Sequence, residues 1–167
     1  VYCLLLEQAN DAAIAIAEHV AGNMNAFVEL MNQRAKQIGC DHTEFANVHG
    51  LDNMDQHTTA RDMAKIVAEA VKNDDFREAF GTVEYKVPET NRSEERPLLT
   101  TNYLIDNHIL QVYMDERVTG GMQSYVSAAS GAGLVCTAKS RDERMNYVMV
   151  VLGSPRTYTE RGTVERY

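Results

Sequence analysis

Two apolar runs, GLVCTAKS at 133–140 and MNYVMVVLGS at 145–154, are separated only by the polar RDER at 141–144. Both are rich in strand formers, and so short a polar connection predicts an antiparallel hairpin. A two-stranded hairpin is marginal by itself, so one of its faces has to be covered. The first half of the chain offers the cover. Asn10 precedes DAAIAIAEHVAG, with Asp11 in the first turn and Gly22 at the end, which reads as a capped helix. Phe27, Leu30, Met31, Ala35 and Ile38 recur at helical spacing and stop at Gly39. A third helix is predicted over about 59–72, where Thr59 and Asp62 form a capping-box-like pair ahead of an apolar stripe, Met63, Ile66, Val67, Ala70 and Val71. DDFREAFG reads as one further short helix, and EYKV at 84–87 alternates like a strand. Helices gathered first and strands last predict an α+β fold. The expected layout is a helical part over about 4–80, a sheet-forming part over about 83–154, and the start of a further helix at 158–167.

Sixteen basic against 24 acidic side chains give a net charge of −8, which disfavours nucleic acid as a partner. With 44% hydrophobic residues, 167 residues are enough to bury one core. No apolar run is long enough to cross a bilayer. The chain opens on Val1 within an apolar stretch, and two strands make a poor sheet; both lead us to expect a preceding segment. Cys3, Cys40 and Cys136 are far apart and show no CxxC spacing. Cys40, His42, His49 and His57 fall close together, but their spacing matches no standard metal-ligand pattern, so no metal is expected.

The stretch GGMQSYVSAASGAG at 120–133 raises a functional question. Paired glycines let a backbone approach another group closely, and Gly-rich turns before strands often line clefts. The side chains that follow, Met122, Gln123 and Ser124, carry no charge.

Taken in order, LLLEQANDAAIAIAEHVAG, AFVELMNQRAKQIG, FANVHGLDN, TTARDMAKI, the double-glycine turn and VVLGSPRTYTERG resemble one family over nearly the whole chain. These are the serine-type D-alanyl-D-alanine carboxypeptidases, the low-molecular-weight penicillin-binding proteins. The resemblance implies a penicillin-binding protein/β-lactamase-like fold, here without its N-terminal part, and no cofactor. It further implies peptidoglycan stem peptides or β-lactams as ligands, serine acyl-enzyme chemistry and a location outside the cytoplasmic membrane.

The family's chemistry uses three motifs, and each departs from the pattern here. No Ser-x-x-Lys occurs in the chain; its expected place is upstream of Val1. Ser-x-Asn falls on Gln8-Ala9-Asn10, keeping the asparagine and replacing the proton-relaying hydroxyl by an amide. Lys-Thr-Gly falls on Met122-Gln123-Ser124, followed by Tyr125, with Ala129-Ser130-Gly131 before the next strand. A second register puts it on Val118-Thr119-Gly120. In both the lysine is lost, and Arg117 and Lys139 are the nearest cations in sequence. The resemblance thus makes Gln8, Asn10, Gln123 and Ser124 the candidate substrate-binding residues, with Asn10 the one match to a catalytic motif. The expectation is that this chain alone is inactive, either an enzyme lacking its nucleophile or a non-catalytic homologue that binds wall peptide or a partner. An exposed sheet edge would also permit self-association or pairing with a complementing chain.

Several of these residues carry plainer readings. Asn10 suits a helix cap as well as a substrate amide. His49 suits a residue that pins its turn. Ser127 and Ser130 suit solvated loop hydroxyls, Tyr125 an ordinary strand aromatic, and the Met-rich strand a core.

Overall fold

A computed structural model describes residues 1–108, 111–125, 127, 131–155, 157–158 and 164–165. Five helices come first: α1 (Tyr2–Glu7), α2 (Asn10–Ala21), α3 (Met24–Gln37), α4 (Ala60–Ala70) and α5 (Asp74–Gly81). Their ends follow local chemistry. Gly22 closes α2 in the left-handed region at φ 79°, and Asn23, Thr59 and Asn73 each accept a backbone N–H three residues on at the starts of α3, α4 and α5. Thr59 therefore caps as its pairing with Asp62 suggests, but the Asp62 carboxylate does not complete the box. It turns inward instead, as described below.

The strands are β1 (Glu84–Val87), β2 (Arg96–Leu99), β3 (Val118–Tyr125), β4 (Ala132–Lys139), β5 (Asn146–Ser154), β6 (Thr157–Tyr158) and β7 (Val164–Glu165). A short 3-10 turn covers Gln111–Tyr113. β4 and β5 form the predicted hairpin, with Val135 opposite Val150 and Cys136 opposite Met149. The sheet is one strand larger than expected, because β3 pairs antiparallel with β4. β1 and β2 make a separate hairpin, Tyr85 opposite Leu98.

Two expectations are corrected here. Gly120 and Gly121 do not form a turn; they lie inside β3. A Cβ on Gly120 would stand 2.8 Å from Phe80 Cδ1, and one on Gly121 would stand 2.6 Å from both Asn102 Nδ2 and the Val135 carbonyl. The glycines let β3 press against α5 and the 100–106 segment, so their close approach serves packing. The C-terminal stretch is the second correction. Its described residues pair as strands, Thr157 opposite Glu165 and Tyr158 opposite Val164, where a helix start was expected. Thr, Tyr and Val are strand formers, and their preference outweighs the helical reading.

A cluster of Leu5, Leu6, Ala79 and Leu98 forms a core shared by α1, α5 and β2. Tyr2, Phe76, Tyr85 and Met122 pack against it, and the Tyr2 and Tyr85 rings stack with centroids 3.9 Å apart. This docking of α1 beside β3 is what brings the two ends of the sequence together.

Candidate functional site

The end of α1 is unusual. Its closing residue, Gln8, adopts φ 55° and ψ 37°, a left-handed conformation that a residue with a Cβ enters at a cost. The turn aims the Gln8 amide across to β3. Gln8 Nε2 donates to Thr101 Oγ1 at 2.8 Å and also to the Gln123 carbonyl. Gln123 Nε2 in turn donates to the Thr101 carbonyl. Three residues from three regions are thereby tied in one amide–hydroxyl network. Thr101 carried no signal in the sequence, because nothing local distinguishes it from the neighbouring Thr100.

This network forms one wall of a groove of about 520 Å3. Tyr103, Leu104 and Tyr113 line one side, and Gln123, Leu134 and Val151 come from the sheet. The register explains that last trio: Gln123 faces Leu134 and Leu134 faces Val151, so all three project from the same side of the sheet. Ser124 also lines the groove and is exposed. No Lys, Arg, His, Asp or Glu does so among the described residues.

Met122 points the other way. It is opposite Val135 and packs against the Leu5–Leu6–Ala79–Leu98 cluster. A thioether suits that apolar contact, whereas an ammonium group would have to be desolvated there. Arg117 is held by Asp115, with Nη2 to Oδ2 at 2.5 Å, and Lys139 lies 3.4 Å from Glu143. The Lys139 amide donates to the Arg117 carbonyl, so both cations sit at the far end of the β3–β4 ladder. Gln123 lies six positions along the chain from Arg117, about 20 Å in extended strand.

Of the four candidate residues, Gln8, Gln123 and Ser124 meet at this groove. Asn10 does not line it. The cap reading of Asn10 is also corrected: the N-cap of α2 is Ala9, Asn10 is the exposed first residue of the helix, and no side chain caps that end. Tyr125 lines the groove, and the Ser127 carbonyl accepts from the Gly131 amide. Ala129 and Ser130 lie outside the described residues.

A second hollow, also about 520 Å3, lies between the 45–58 loop and the glycine-bearing ends of β4 and β5, with Ser124 shared between the two. His49 serves its own loop: Nδ1 accepts from the Leu51 amide at 3.3 Å, while Asn47 Oδ1 accepts from Gly50 at 2.7 Å. Cys40 is buried and its thiol reaches the Asp62 carbonyl at 3.5 Å. Among the described residues, no three His, Cys, Asp or Glu side chains gather as metal ligands would.

The buried carboxylate of Asp62 holds this part together. Its Oδ2 accepts from the His42 amide at 2.9 Å and the Thr43 hydroxyl at 3.1 Å, and Oδ1 lies 3.2 Å from Lys65 Nζ. Burial pushes the Asp62 carboxyl up; the bonds from His42, Lys65 and Thr43 outweigh it and hold the group below its ordinary value.

Comparison with known proteins agrees with this architecture. The family model described as D-alanyl-D-alanine carboxypeptidase matches residues 1–156. D-alanyl-D-alanine carboxypeptidase DacC of Escherichia coli is 34% identical over 152 residues, covering 90% of this chain and 34% of that protein. The DacA carboxypeptidase of Haemophilus influenzae is 31% identical over 159 residues, covering 95% and 37%. This chain therefore spans about a third of the length of the curated relatives it matches. Among solved structures, penicillin binding protein 5 from Haemophilus influenzae superposes with a TM-score of 0.76 at 28% identity, covering 96% of this chain and 42% of the other. The D-alanyl-D-alanine carboxypeptidase from Mycobacterium tuberculosis gives 0.77 at 25% identity, covering 95% and 55%. With the α+β layout, the helical order and the match over residues 1–156 in agreement, the chain belongs to the D-alanyl-D-alanine carboxypeptidase family of penicillin-binding proteins.

Proposed function

We propose that this chain provides a binding cleft for wall peptides of the kind its family acts on, and that by itself it does not release D-alanine. The observation that carries the reading is the Gln8 amide. At the position of the family's proton-relaying hydroxyl stands a group whose two N–H donors are both engaged, with Thr101 and Gln123. An amide has no proton to relay at neutral pH, so acyl transfer lacks a step even where a nucleophile is supplied. The absence of Ser-x-x-Lys from the 167 residues removes the acyl acceptor itself.

The test is a D-alanine release assay on the purified chain with a D-alanyl-D-alanine peptide, alongside covalent labelling by a fluorescent penicillin. The expected result is peptide binding without turnover or label. Measurable D-alanine release, lost on changing Gln8 to Ala, would overturn the reading. The family analogy carries with it an extracytoplasmic location. Among the described residues no helix is long and apolar enough to cross a membrane.

One observation favours a second reading, association through β5. That strand has a partner on one side only among the described residues, carries no charge over nine residues, and exposes Tyr147, Met149, Val151 and Leu152. Uncharged edges of this kind accept another strand, from a second copy or a complementing chain. Sedimentation at several concentrations decides it: a monomer throughout, which Val150→Lys leaves unchanged, removes the self-association reading.

A further inference from the structure

We propose that Asn91 is an acceptor of N-linked glycan, read by a glycosyl transferase through Glu89 and Ser93. This rests on the extracytoplasmic location that the family analogy carries, because such sugars are added to exported chains. The stretch Glu89-Thr90-Asn91-Arg92-Ser93 contains Asn-x-Ser, and no other asparagine in the 167 residues has Ser or Thr two positions on. The spacing has a chemical reason. An amide nitrogen is a poor nucleophile, since its lone pair is delocalised into the carbonyl, and a hydroxyl two residues on gives a transferase a handle to hold the amide in place. Chance supplies many such triplets, so the place in the fold has to agree.

It does. The segment forms the tip of the β1–β2 hairpin: the Thr90 amide donates to the Ser93 carbonyl at 2.9 Å, and Asn91 and Arg92 occupy the turn between them. Residues 88–92 are all exposed. A turn asparagine ordinarily bonds its own backbone, but here the Thr90 hydroxyl takes that part, accepting from the Arg92 amide at 3.2 Å. The Asn91 side chain makes no hydrogen bond among the described residues, so its amide is left for a reaction. The Ser93 hydroxyl donates to the Glu94 carbonyl and accepts from Arg96 Nη1, both at 3.2 Å, long surface bonds that yield to a better partner. Glu89 is exposed and outside every ion pair among the described residues, so its carboxylate is open to a cationic subsite. No residue of the hairpin lines either hollow, and a sugar at its tip leaves both open.

The donor is an oligosaccharide linked through pyrophosphate to a lipid. Asn91 Nδ2 forms a bond to the anomeric carbon of the first sugar, and the bond from that carbon to the pyrophosphate oxygen breaks. The lipid pyrophosphate leaves with the electron pair, and one Nδ2 proton passes to a base on the transferase. Nothing is oxidised or reduced.

The test incubates the folded chain with a purified bacterial oligosaccharyltransferase and an undecaprenyl-pyrophosphate-linked oligosaccharide, followed by intact mass and peptide mapping. The expected result is a gain of one oligosaccharide, on the peptide that holds Asn91. The gain should vanish in Asn91→Gln and Ser93→Ala and persist in Ser93→Thr. Glu89→Gln should slow transfer about tenfold, the worth of one charge-assisted contact. These are exposed or half-exposed turn positions, and circular dichroism should show the same fold in every variant. Because the components are purified, the outcome does not depend on where the protein resides, so a wrong location and a wrong acceptor are told apart. No transfer to the folded chain overturns the proposal, as does transfer that survives Asn91→Gln. An unchanged rate in Glu89→Gln overturns the part given to Glu89.

Discussion

Gln8 Nε2 lies 2.8 Å from Thr101 Oγ1, a hydrogen bond that joins residues 93 positions apart and anchors the end of α1 to the segment preceding β3. Around it the Gln123 side chain closes a second link to the same threonine, through its carbonyl. The network joins two residues that the sequence resemblance assigns to the Ser-x-Asn and Lys-Thr-Gly positions, and it is made of neutral groups throughout. It behaves as a structural tie between the helical part and the sheet.

The tie predicts coupling. Gln8→Ala should lower stability by about 0.5–1.5 kcal/mol, the usual net worth of a neutral hydrogen bond. Thr101→Val should cost a similar amount, and the double variant should cost less than the sum, since each single change already breaks the shared bond. Urea denaturation of the four proteins checks this; simple additivity would show that the two residues do not act together.

Asp62 sets an acid limit. Its carboxyl is held below the ordinary 3.8, so the folded state prefers the ionised form more than the unfolded chain does. Stability from this group is therefore full above the unfolded value, and it is lost as pH falls from there through the folded one. Asp62→Asn should lower the melting temperature at pH 7 and flatten the fall in melting temperature below about pH 4. A variant whose melting temperature still falls as steeply with acid would place that sensitivity elsewhere.

Gly121 admits no side chain. In Gly121→Ala the new Cβ would meet backbone at 2.6 Å and Cys136 Cβ at 2.8 Å, with neighbours that cannot swing away. We expect a loss of about 1–3 kcal/mol. The same change at Gly50, where nothing lies within 4 Å, meets only the backbone strain of φ 77° and should cost about 1 kcal/mol. Thermal melts of the pair separate packing from strain.

The three thiols should differ in reactivity. Cys40 and Cys136 are buried, and burial raises both thiols above their ordinary value. Cys3 is partly exposed. A colorimetric disulfide reagent should modify one thiol quickly in the native protein and the other two only on unfolding. Fast reaction of two or three would show that the packing around Cys40 or Cys136 opens readily.

Much of the fold was legible because its signals are local. The apolar stripe of α4, the Thr59 cap, Gly22 at the end of α2 and the β4–β5 hairpin are all set within a few residues, so periodicity and turn chemistry suffice to find them. The family resemblance named Gln8, Asn10, Gln123 and Ser124; Gln8, Gln123 and Ser124 line one groove, and Asn10 does not. Other features were hidden. The pairing of β3 with β4 depends on whether Gly120 and Gly121 turn or extend, and that is decided by Phe80 and Asn102, which press on them from distant parts of the chain. β2 was missed because RPLL carries a proline and no alternation; it is a strand because Leu98 is needed in the core beside Leu5 and Leu6.

By itself, then, the sequence determined which segments could be helix or strand and which chemical groups stand at the positions the family resemblance singles out: three amides, a thioether, a hydroxyl and no cation. Only the tertiary structure decided what those groups do. Docking α1 against β3 sets the Gln8 donors on the Thr101 hydroxyl and the Gln123 carbonyl, sets a Gln123 donor on the Thr101 carbonyl, and turns Met122 into the core. A side chain's role at such a site depends on partners about a hundred residues away, and no local pattern records them.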